Sequence, residues 1–217
     1  MKPAAGAAML APASHGDARM AEAAETLTLW TAEQFLDWVV EQEGRYELID
    51  GHVVQMMAGA KKRHNIVAGN VARSLAEQLA DGPCIPFQSD MAVAVSSDRV
   101  RYPDVVVDCD NADEDVTRAQ EPVVVVEVLS DRTRHLDMLD KLEEYHAVPS
   151  IRHILIVETR HVSVELHTRE GEGWTRRRVD DPDGALDLLA LGVRLALADI
   201  YRRTDARSRI VHIAPPG

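Results

Sequence analysis

The sequence predicts a single α/β domain, and three observations support that prediction. The chain has 217 residues, a length that fits one domain with decorations better than two domains. Apolar residues make up 46% of it, which is enough for a substantial core. Segments with helical spacing of apolar residues alternate with valine-rich runs, in the order helix, hairpin, helix, strands, helix, strands.

The two ends of the chain differ from its middle. Residues 1–25 are rich in alanine, with proline and glycine, and show no sustained periodicity; the chain closes on Pro-Pro-Gly. We therefore expect flexible tails at 1–25 and 204–217, with one domain over 26–203. No apolar run approaches the length needed to span a bilayer, so we expect no membrane partner.

The first elements of the domain have local signals. Thr31 is placed to cap a helix that runs to about Gln42, because Gln34 follows three residues later and completes a capping box. Asp50 and Gly51 then separate two strand-like runs. An Asp-Gly pair in that position is a strong signal for a two-residue hairpin.

The later elements follow from periodicity and composition. Apolar residues at helical spacing predict three more helices, at about 62–80, 134–147 and 196–203. Apolar or alternating runs predict the remaining strands, at 84–96, 103–107, 123–127, 154–157, 161–167 and 174–179.

Charge and cysteine usage limit the function classes. The net charge of −12 excludes a general nucleic-acid coat, which would carry a basic surface, although basic clusters stand at 61–63 and 176–178. Cys84 and Cys109 have neither a CxxC nor a zinc spacing. We interpret them as free thiols in a reducing compartment, which predicts a cytoplasmic location.

Two carboxylates mark the ends of the valine-rich strands. Asp104 opens the first run and Glu127 closes the second. If the two strands pair antiparallel, these residues lie side by side at one rim of a buried sheet. Two carboxylates so placed repel each other unless a proton or a cation intervenes, so the pair predicts a divalent metal site.

Several motifs together resemble the Uma family of restriction-endonuclease-like proteins, a branch of the PD-(D/E)XK nuclease superfamily. The resemblance runs from about Thr28 to Glu158. The matching segments and residues are 45–51, 103–107, 127–130, Thr133, Arg134, Asp137, Lys141 and Tyr145. Other catalytic signatures, such as HExxH, GxSxG or a Gly-rich phosphate loop, do not occur in the sequence.

The resemblance implies a restriction-endonuclease-like core, a mixed β-sheet flanked by helices, with Mg²⁺ or Mn²⁺ at the sheet rim. Asp104 and Glu127 match the two metal-binding acids of the superfamily, and the backbone carbonyl of Val128 is a further ligand. Glu47 matches the family's first acidic position, where it would complete the metal site or orient a metal-bound water.

The expected lysine stands at a different place in this chain. The superfamily pattern has a lysine two residues after the second acid, where this sequence has Leu129. The Uma-like pattern supplies the lysine from the next helix, which points to Lys141. The spacing supports this independently, because Asp137, Lys141 and Tyr145 follow one another at i, i+4 and i+8 on one helical face.

The leading hypothesis is a metal-dependent endonuclease that hydrolyses phosphodiester bonds in DNA. Asp104, Glu127 and Glu47 bind the metal in this hypothesis, and Lys141 assists the attacking water. The alternative is a catalytically weak or inactive nuclease-fold protein that serves as a binding or regulatory module. Hydrolysis of a small phosphate or nucleotide stays open as well, and exposed C-terminal strands leave room for a homodimer.

Ordinary structural roles are open for the same residues. Asp104 could merely start a strand, and Glu127 and Glu47 could face solvent. Lys141 could form a surface ion pair with Asp137. Elsewhere, we interpret His64 as an exposed or helix-capping histidine in preference to a phosphate contact. Tyr145 likewise reads more readily as a core residue than as a substrate contact.

Overall fold

The computed structural model describes residues 28–56, 59–110, 113–129 and 135–208. The predicted tail at 1–25 and residues 209–217 of the predicted second tail lie outside these ranges. Ser130, Thr133 and Arg134 and the side chain of Asp137, which the family resemblance singles out, lie outside them too.

The described residues contain four helices and fourteen strands. The helices are α1 (Ala32–Val39), α2 (Lys62–Leu79), α3 (His135–Ala147) and α4 (Leu197–Ile200). The strands are β1 (Tyr46–Ile49), β2 (His52–Gln55), β3 (Ile85–Gln88), β4 (Val93–Ser96), β5 (Arg99–Arg101), β6 (Val105–Asp108), β7 (Pro122–Leu129), β8 (His153–Glu158), β9 (His161–Val162), β10 (Val164–Glu170), β11 (Gly173–Val179), β12 (Ala185–Leu188), β13 (Val193–Ala196) and β14 (Arg207–Ser208).

The central sheet has six strands in the order β11-β10-β8-β7-β6-β3. β7 and β8 run parallel, and the other neighbours run antiparallel, so the sheet is mixed as expected. Helix α2 packs Val71 and Leu75 on one face of it, where Val124 and Val126 point. On the other face Tyr145 of α3 packs with strand residues such as Val125.

A second sheet, in the order β2-β1-β5-β4, lies beside α1. The capping box of α1 is formed: the Thr31 hydroxyl accepts from the Gln34 N–H at 3.2 Å, and the Thr31 N–H donates to the Gln34 side chain at 3.0 Å. The hairpin between β1 and β2 turns at Asp50 and Gly51, whose φ angles of 51° and 73° suit a two-residue turn.

The predicted strand over 84–96 is in fact two strands in different sheets. β3 belongs to the central sheet and β4 to the second sheet. Between them the chain bends at Ser89, which adopts a left-handed φ of 67°. The strands β5, β12, β13 and β14 were not predicted, because each has only two to four residues, too few for a clear periodicity signal.

The prediction that Cys84 and Cys109 are free thiols is wrong, since the two form a disulfide. β3 and β6 pair antiparallel with Ile85 opposite Asp108, so the two cysteines come directly opposite each other just beyond that pair. Their Cα atoms are 4.0 Å apart. Sequence spacing could not show this juxtaposition, and the inference of a reducing compartment loses its basis.

The helices bear on the membrane prediction. Among the described residues, no helix combines the length and the apolar character that crossing a bilayer requires.

A buried histidine gives the fold a pH dependence. The Ala190 N–H donates to His153 Nε2 at 3.2 Å, so the ring proton sits on Nδ1, 3.2 Å from the Thr168 hydroxyl. Burial lowers the pKa of His153 from 6.5 to about 4. As the pH falls from 6.5 towards 4, the unfolded chain therefore gains a proton that the folded chain does not.

We expect the free energy of unfolding to fall over that pH range, by on the order of 2–3 kcal/mol from this group. His153→Gln should remove this part of the decline, and His52→Gln, at an exposed position in β2, should not. Urea titrations of the three proteins at about pH 7.5 and about pH 4.5 measure it. Parallel declines in wild type and His153→Gln would contradict the assignment.

Candidate active site

The two strand-end carboxylates meet at the rim of the central sheet. β6 and β7 pair antiparallel with Val105 opposite Val126, which places Asp104 beside Glu127 as the sequence predicts. Asp104 Oδ2 accepts the Val128 N–H at 2.7 Å. The N–H of the strained residue Ser89 donates to the Asp104 carbonyl at 3.1 Å. Asp104 is therefore held by both its side chain and its backbone.

Glu127 lies on the face of the sheet covered by α3, and its side chain is buried. The Tyr145 hydroxyl donates to Glu127 Oε1 at 2.7 Å, and Lys141 Nζ lies 3.5 Å from the same oxygen. Burial raises the pKa of Glu127; the charge of Asp104 adds to the rise, while Lys141 and the Tyr145 hydrogen bond oppose it. A cation near Asp104 would favour the ionised carboxylate.

Lys141 reaches the rim from α3. Its Nζ lies 3.4 Å from Glu47 Oε1 and 3.5 Å from Glu127 Oε1, so it links two carboxylates from different sheets. Leu129, at the superfamily's lysine position, packs in the apolar cluster around Tyr145. The lysine thus arrives from the helix, where the family resemblance places it.

The alternative interpretations, in which Glu47 and Glu127 face solvent and Lys141 forms an ion pair at the surface, are wrong. Only 3% of Glu47, 6% of Glu127 and 5% of Lys141 is exposed. Burying a charge is costly unless it is paired, so these three groups depend on one another and on the partners described next.

A buried arginine completes the network, and the sequence analysis did not single it out. Arg101 Nη1 donates to Glu47 Oε2 at 2.8 Å. Its Nε and Nη2 donate to the two oxygens of Glu144 at 2.6 and 2.8 Å. Burial by itself lowers the pKa of Arg101, but the Glu144 hydrogen bonds and the Glu47 charge raise it above its ordinary value. One feature of the sequence pointed to Glu144 as part of this network: it follows Lys141 by three residues, on the same side of α3.

His64 is neither exposed nor a helix cap, contrary to expectation. It lies within the first turn of α2, and its Nε2 is 3.2 Å from Asp104 Oδ1. The hydrogen bond to Asp104 raises the pKa of His64, and burial opposes that rise. Its contact fixes the second oxygen of Asp104. Tyr145 is fully buried, as the core interpretation requires, but its hydroxyl also orients Glu127.

These groups face a cavity of about 810 Å³, which we call the site cavity. The predicted site residues on its surface are Glu47, Asp104, Glu127, Val128 and Lys141, joined by His64. The structure therefore brings all five predicted residues to one place, although they come from β1, β7, α3 and the loop before β6.

The donor set fits a hard divalent cation. The carboxylates of the network are Glu47, Asp104, Glu127 and Glu144, and its cations are Arg101 and Lys141. These four carboxylates exceed the two cations by two charges, and His64, whose pKa is raised by its hydrogen bond to Asp104, offsets one of them when it is protonated. No three His, Cys, Asp or Glu side chains in the described ranges are close enough to form a complete metal cluster. Mg²⁺ suits such a site, because it binds one or two carboxylates and keeps several waters.

Comparisons with known proteins agree with this fold. The sequence model of the Uma2 family, described as "Putative restriction endonuclease", matches residues 32–198. The uncharacterized protein slr1290 of Synechocystis is 30% identical over 173 residues, which cover 78% of this chain and 90% of the relative. A crystal structure of "a putative nuclease belonging to DUF820" from Anabaena variabilis superposes with a TM-score of 0.61 at 13% identity, over 76% of this chain and 96% of that one.

The structural likeness shows that this chain shares its fold, a mixed sheet flanked by helices, with the Anabaena variabilis protein. The family match covers more than half of the chain and includes the segments that carry Glu47, Asp104, Glu127 and Lys141. On these grounds the chain belongs to the Uma2 family.

Proposed function

We propose that this protein is a metal-dependent endonuclease that hydrolyses phosphodiester bonds in DNA. One observation supports this best: two neighbouring carboxylates, Asp104 and Glu127, and the Lys141 ammonium group share the floor of one cavity. Asp104, Glu127 and the Val128 carbonyl would hold Mg²⁺ or Mn²⁺. When bound, the ion would polarise a water molecule and neutralise charge on the phosphoryl oxygens.

The protein's own groups have separate tasks in this proposal. Lys141 Nζ orients the attacking water and stabilises negative charge that develops on the phosphate. Water oxygen forms a bond to phosphorus while a bond from phosphorus to a strand oxygen breaks, and the proton of the water passes through solvent to that leaving oxygen. Glu47 contacts both Arg101 and Lys141, so it positions the lysine, and it would complete the metal site or orient a metal-bound water when the ion is bound.

Two residues hold the ligands in place. Tyr145 donates to Glu127 Oε1, which leaves the other oxygen of that carboxylate to face the metal. His64 contacts Asp104 Oδ1 on the opposite side. Such outer contacts fix the direction of the ligating oxygens, and losing one commonly costs about 10–100-fold in metal affinity or activity.

A binding or regulatory module is the second candidate. The net charge of −12 favours it, and so does the pairing of Glu47 and Glu144 with Arg101, which satisfies part of the network without a metal. A homodimer stays a prediction from the sequence, whereas the Cys84–Cys109 disulfide removes the basis of the predicted cytoplasmic location.

Calorimetric titration with Mn²⁺ separates the two candidates. We expect the wild-type protein to bind Mn²⁺ and Asp104→Asn to bind at least about 10-fold more weakly, because a ligand is lost. Asp108→Asn is the matched control: it lies at the other end of β6 and accepts backbone N–H groups of Gln120 and Glu121, away from the cavity. If Mn²⁺ does not bind, or binds equally to all three proteins, the module is favoured.

A further inference from the structure

The site cavity extends well beyond the groups that the proposed hydrolysis uses. Its lining includes the apolar or aromatic residues Met56, Met91, Tyr102 and Val116, which we call the apolar wall. At the mouth, Arg45 pairs with Asp90 at 3.0 Å, and both side chains are largely exposed. The cavity thus joins a charged floor to an apolar side under a polar rim.

The charged floor is out of reach for a group on an open surface. Glu47, Glu127 and Lys141 are almost completely buried, and the cavity is their route to solvent. The phosphates of a continuous duplex lie on its outer surface, and base pairing ties each one to its neighbours. A nucleotide that has left the base-paired stack can enter the cavity and bring its phosphate to this floor directly.

We propose that the site cavity takes one unpaired nucleotide, with its base against the apolar wall and its phosphate at the carboxylate floor. This inference rests on the proposed function for the role of the floor. It makes the substrate a nucleic acid with an unpaired nucleotide, at a single-stranded stretch or a strand end, rather than a continuous duplex.

The size and the lining of the cavity fit that ligand. Pockets of about 300–1,000 Å³ enclose drug-sized molecules, which is the size of a nucleotide, and the site cavity measures about 810 Å³. Tyr102 supplies an aromatic face for stacking, and methionine side chains adapt to flat rings. Burial and the charges of Asp90 and Glu47 raise the pKa of Tyr102 to about 12, so its ring carries no charge at neutral pH.

Polar groups and bulk charge agree with the same ligand. Ser89, Asp90 and Thr117 line the cavity near the apolar wall and can bond to the edge of a base, as enzymes that extrude bases require. A protein of net charge −12 is poorly suited to hold a long polyanion along its surface. Binding one nucleotide needs few phosphate contacts; Lys141 lies at the floor, and Lys61 also lines the cavity.

The test uses the fluorescent base 2-aminopurine in buffer with Ca²⁺, a hard cation with oxygen ligands that can balance the carboxylate floor beside a phosphate, and gel analysis checks that the probes stay intact. The probes are the free 2-aminopurine nucleotide, a single-stranded oligonucleotide with the base near one end, and a duplex with the base at its centre. We expect fluorescence quenching and binding for the unpaired probes, and binding at least about 10-fold weaker for the duplex, since extrusion costs unstacking and unpairing.

Variants of the apolar wall locate the base. Tyr102→Ala should weaken binding of the unpaired probes by about 10-fold, the effect of losing one stacking contact, and Tyr102→Phe should bind like wild type. Met91→Ala, on the same wall, should weaken it about threefold and provides a second measurement if Tyr102→Ala does not fold. Equal binding of duplex and single strand, or wild-type binding by Tyr102→Ala and Met91→Ala, would overturn the proposal.

The outcomes distinguish failure of the cavity proposal from failure of the proposed nuclease activity. They also show whether the bound nucleotide is a free small molecule or part of a strand. Specific binding of unpaired probes without any cleavage in Mn²⁺ would support the cavity proposal and reject the nuclease. Cleavage without a preference for unpaired probes would support the nuclease and reject the cavity proposal. If unpaired binding is found, equal affinity for the free nucleotide identifies a small nucleotide as the ligand, and tighter binding of the oligonucleotide identifies a strand.

Discussion

Replacing Glu127 by glutamine is expected to reduce Mg²⁺- or Mn²⁺-dependent cleavage of DNA by at least about 100-fold, the upper range for loss of a group that merely supports a metal ligand. Glutamine keeps the size of the side chain and can accept the Tyr145 hydrogen bond. Glutamine lacks the negative charge that faces Asp104 and Lys141, so the fall in cleavage tests whether the charge of the proposed metal ligand is needed. Timed cleavage of plasmid and of single-stranded DNA measures it.

Glu165→Gln provides the control for this variant. Glu165 on β10 lies opposite Ile156 on β8, and Ile156 lies beside Glu127 on β7. Both glutamates therefore belong to the same row of the sheet. Glu165 pairs with His167 and does not line the site cavity. We expect wild-type cleavage from Glu165→Gln. Unchanged cleavage by Glu127→Gln, with circular dichroism showing that it is folded, would reject the mechanism.

Replacing Arg101 by methionine is expected to lower the free energy of unfolding by about 3–5 kcal/mol, the cost of removing one partner from a buried ion pair. The methionine side chain fills much of the space that the arginine occupied, yet Glu47 and Glu144 lose three hydrogen bonds. Two buried carboxylates then lack their main cation. Urea titration followed by circular dichroism measures the change.

Arg99→Met is the matched control, two residues away on β5. Arg99 also contacts Glu144, at 3.2 Å, and pairs with Asp50, but its side chain is 36% exposed. Exposed ion pairs contribute about 0–1 kcal/mol, so its replacement should change stability by no more than that. Similar losses for both variants would show that burial of Arg101 does not set the strength of the network.

The sequence predicted the two ends of the valine-rich strands correctly because β-pairing is regular. Once β6 and β7 pair antiparallel, the register places Asp104 beside Glu127 with no further information. The hairpin at Asp50 and the capping box at Thr31 are equally local, and both are formed. In these places a few adjacent residues decide the backbone.

The charged network could not be predicted in the same way. Arg101 is 54 residues from Glu47 and 43 from Glu144 in the chain. A short run such as Arg-Val-Arg does not indicate whether its arginines are exposed to solvent or paired with buried carboxylates. His64 was expected to be exposed for the same reason: its contact with Asp104 depends on how α2 packs on the sheet.

The errors in the fold have a common origin as well. The strand predicted over 84–96 changes sheet at Ser89, and Cys84 and Cys109 meet across β3 and β6. Both features depend on which strands become neighbours, a choice made by packing over the whole domain.

By itself, the sequence determined the α/β class, most of the helices and strands, and the carboxylate pair, and the family resemblance predicted Lys141 as the lysine in place of position 129. Periodicity, turn chemistry and a family resemblance are all properties of short segments, so they can be read directly. The tertiary structure alone decided the burial of Glu47, Glu127 and Lys141, their pairing through Arg101 and Glu144, and the cavity above them. Desolvation of a charge depends on every segment that packs around it, and those segments are brought together only when the chain folds.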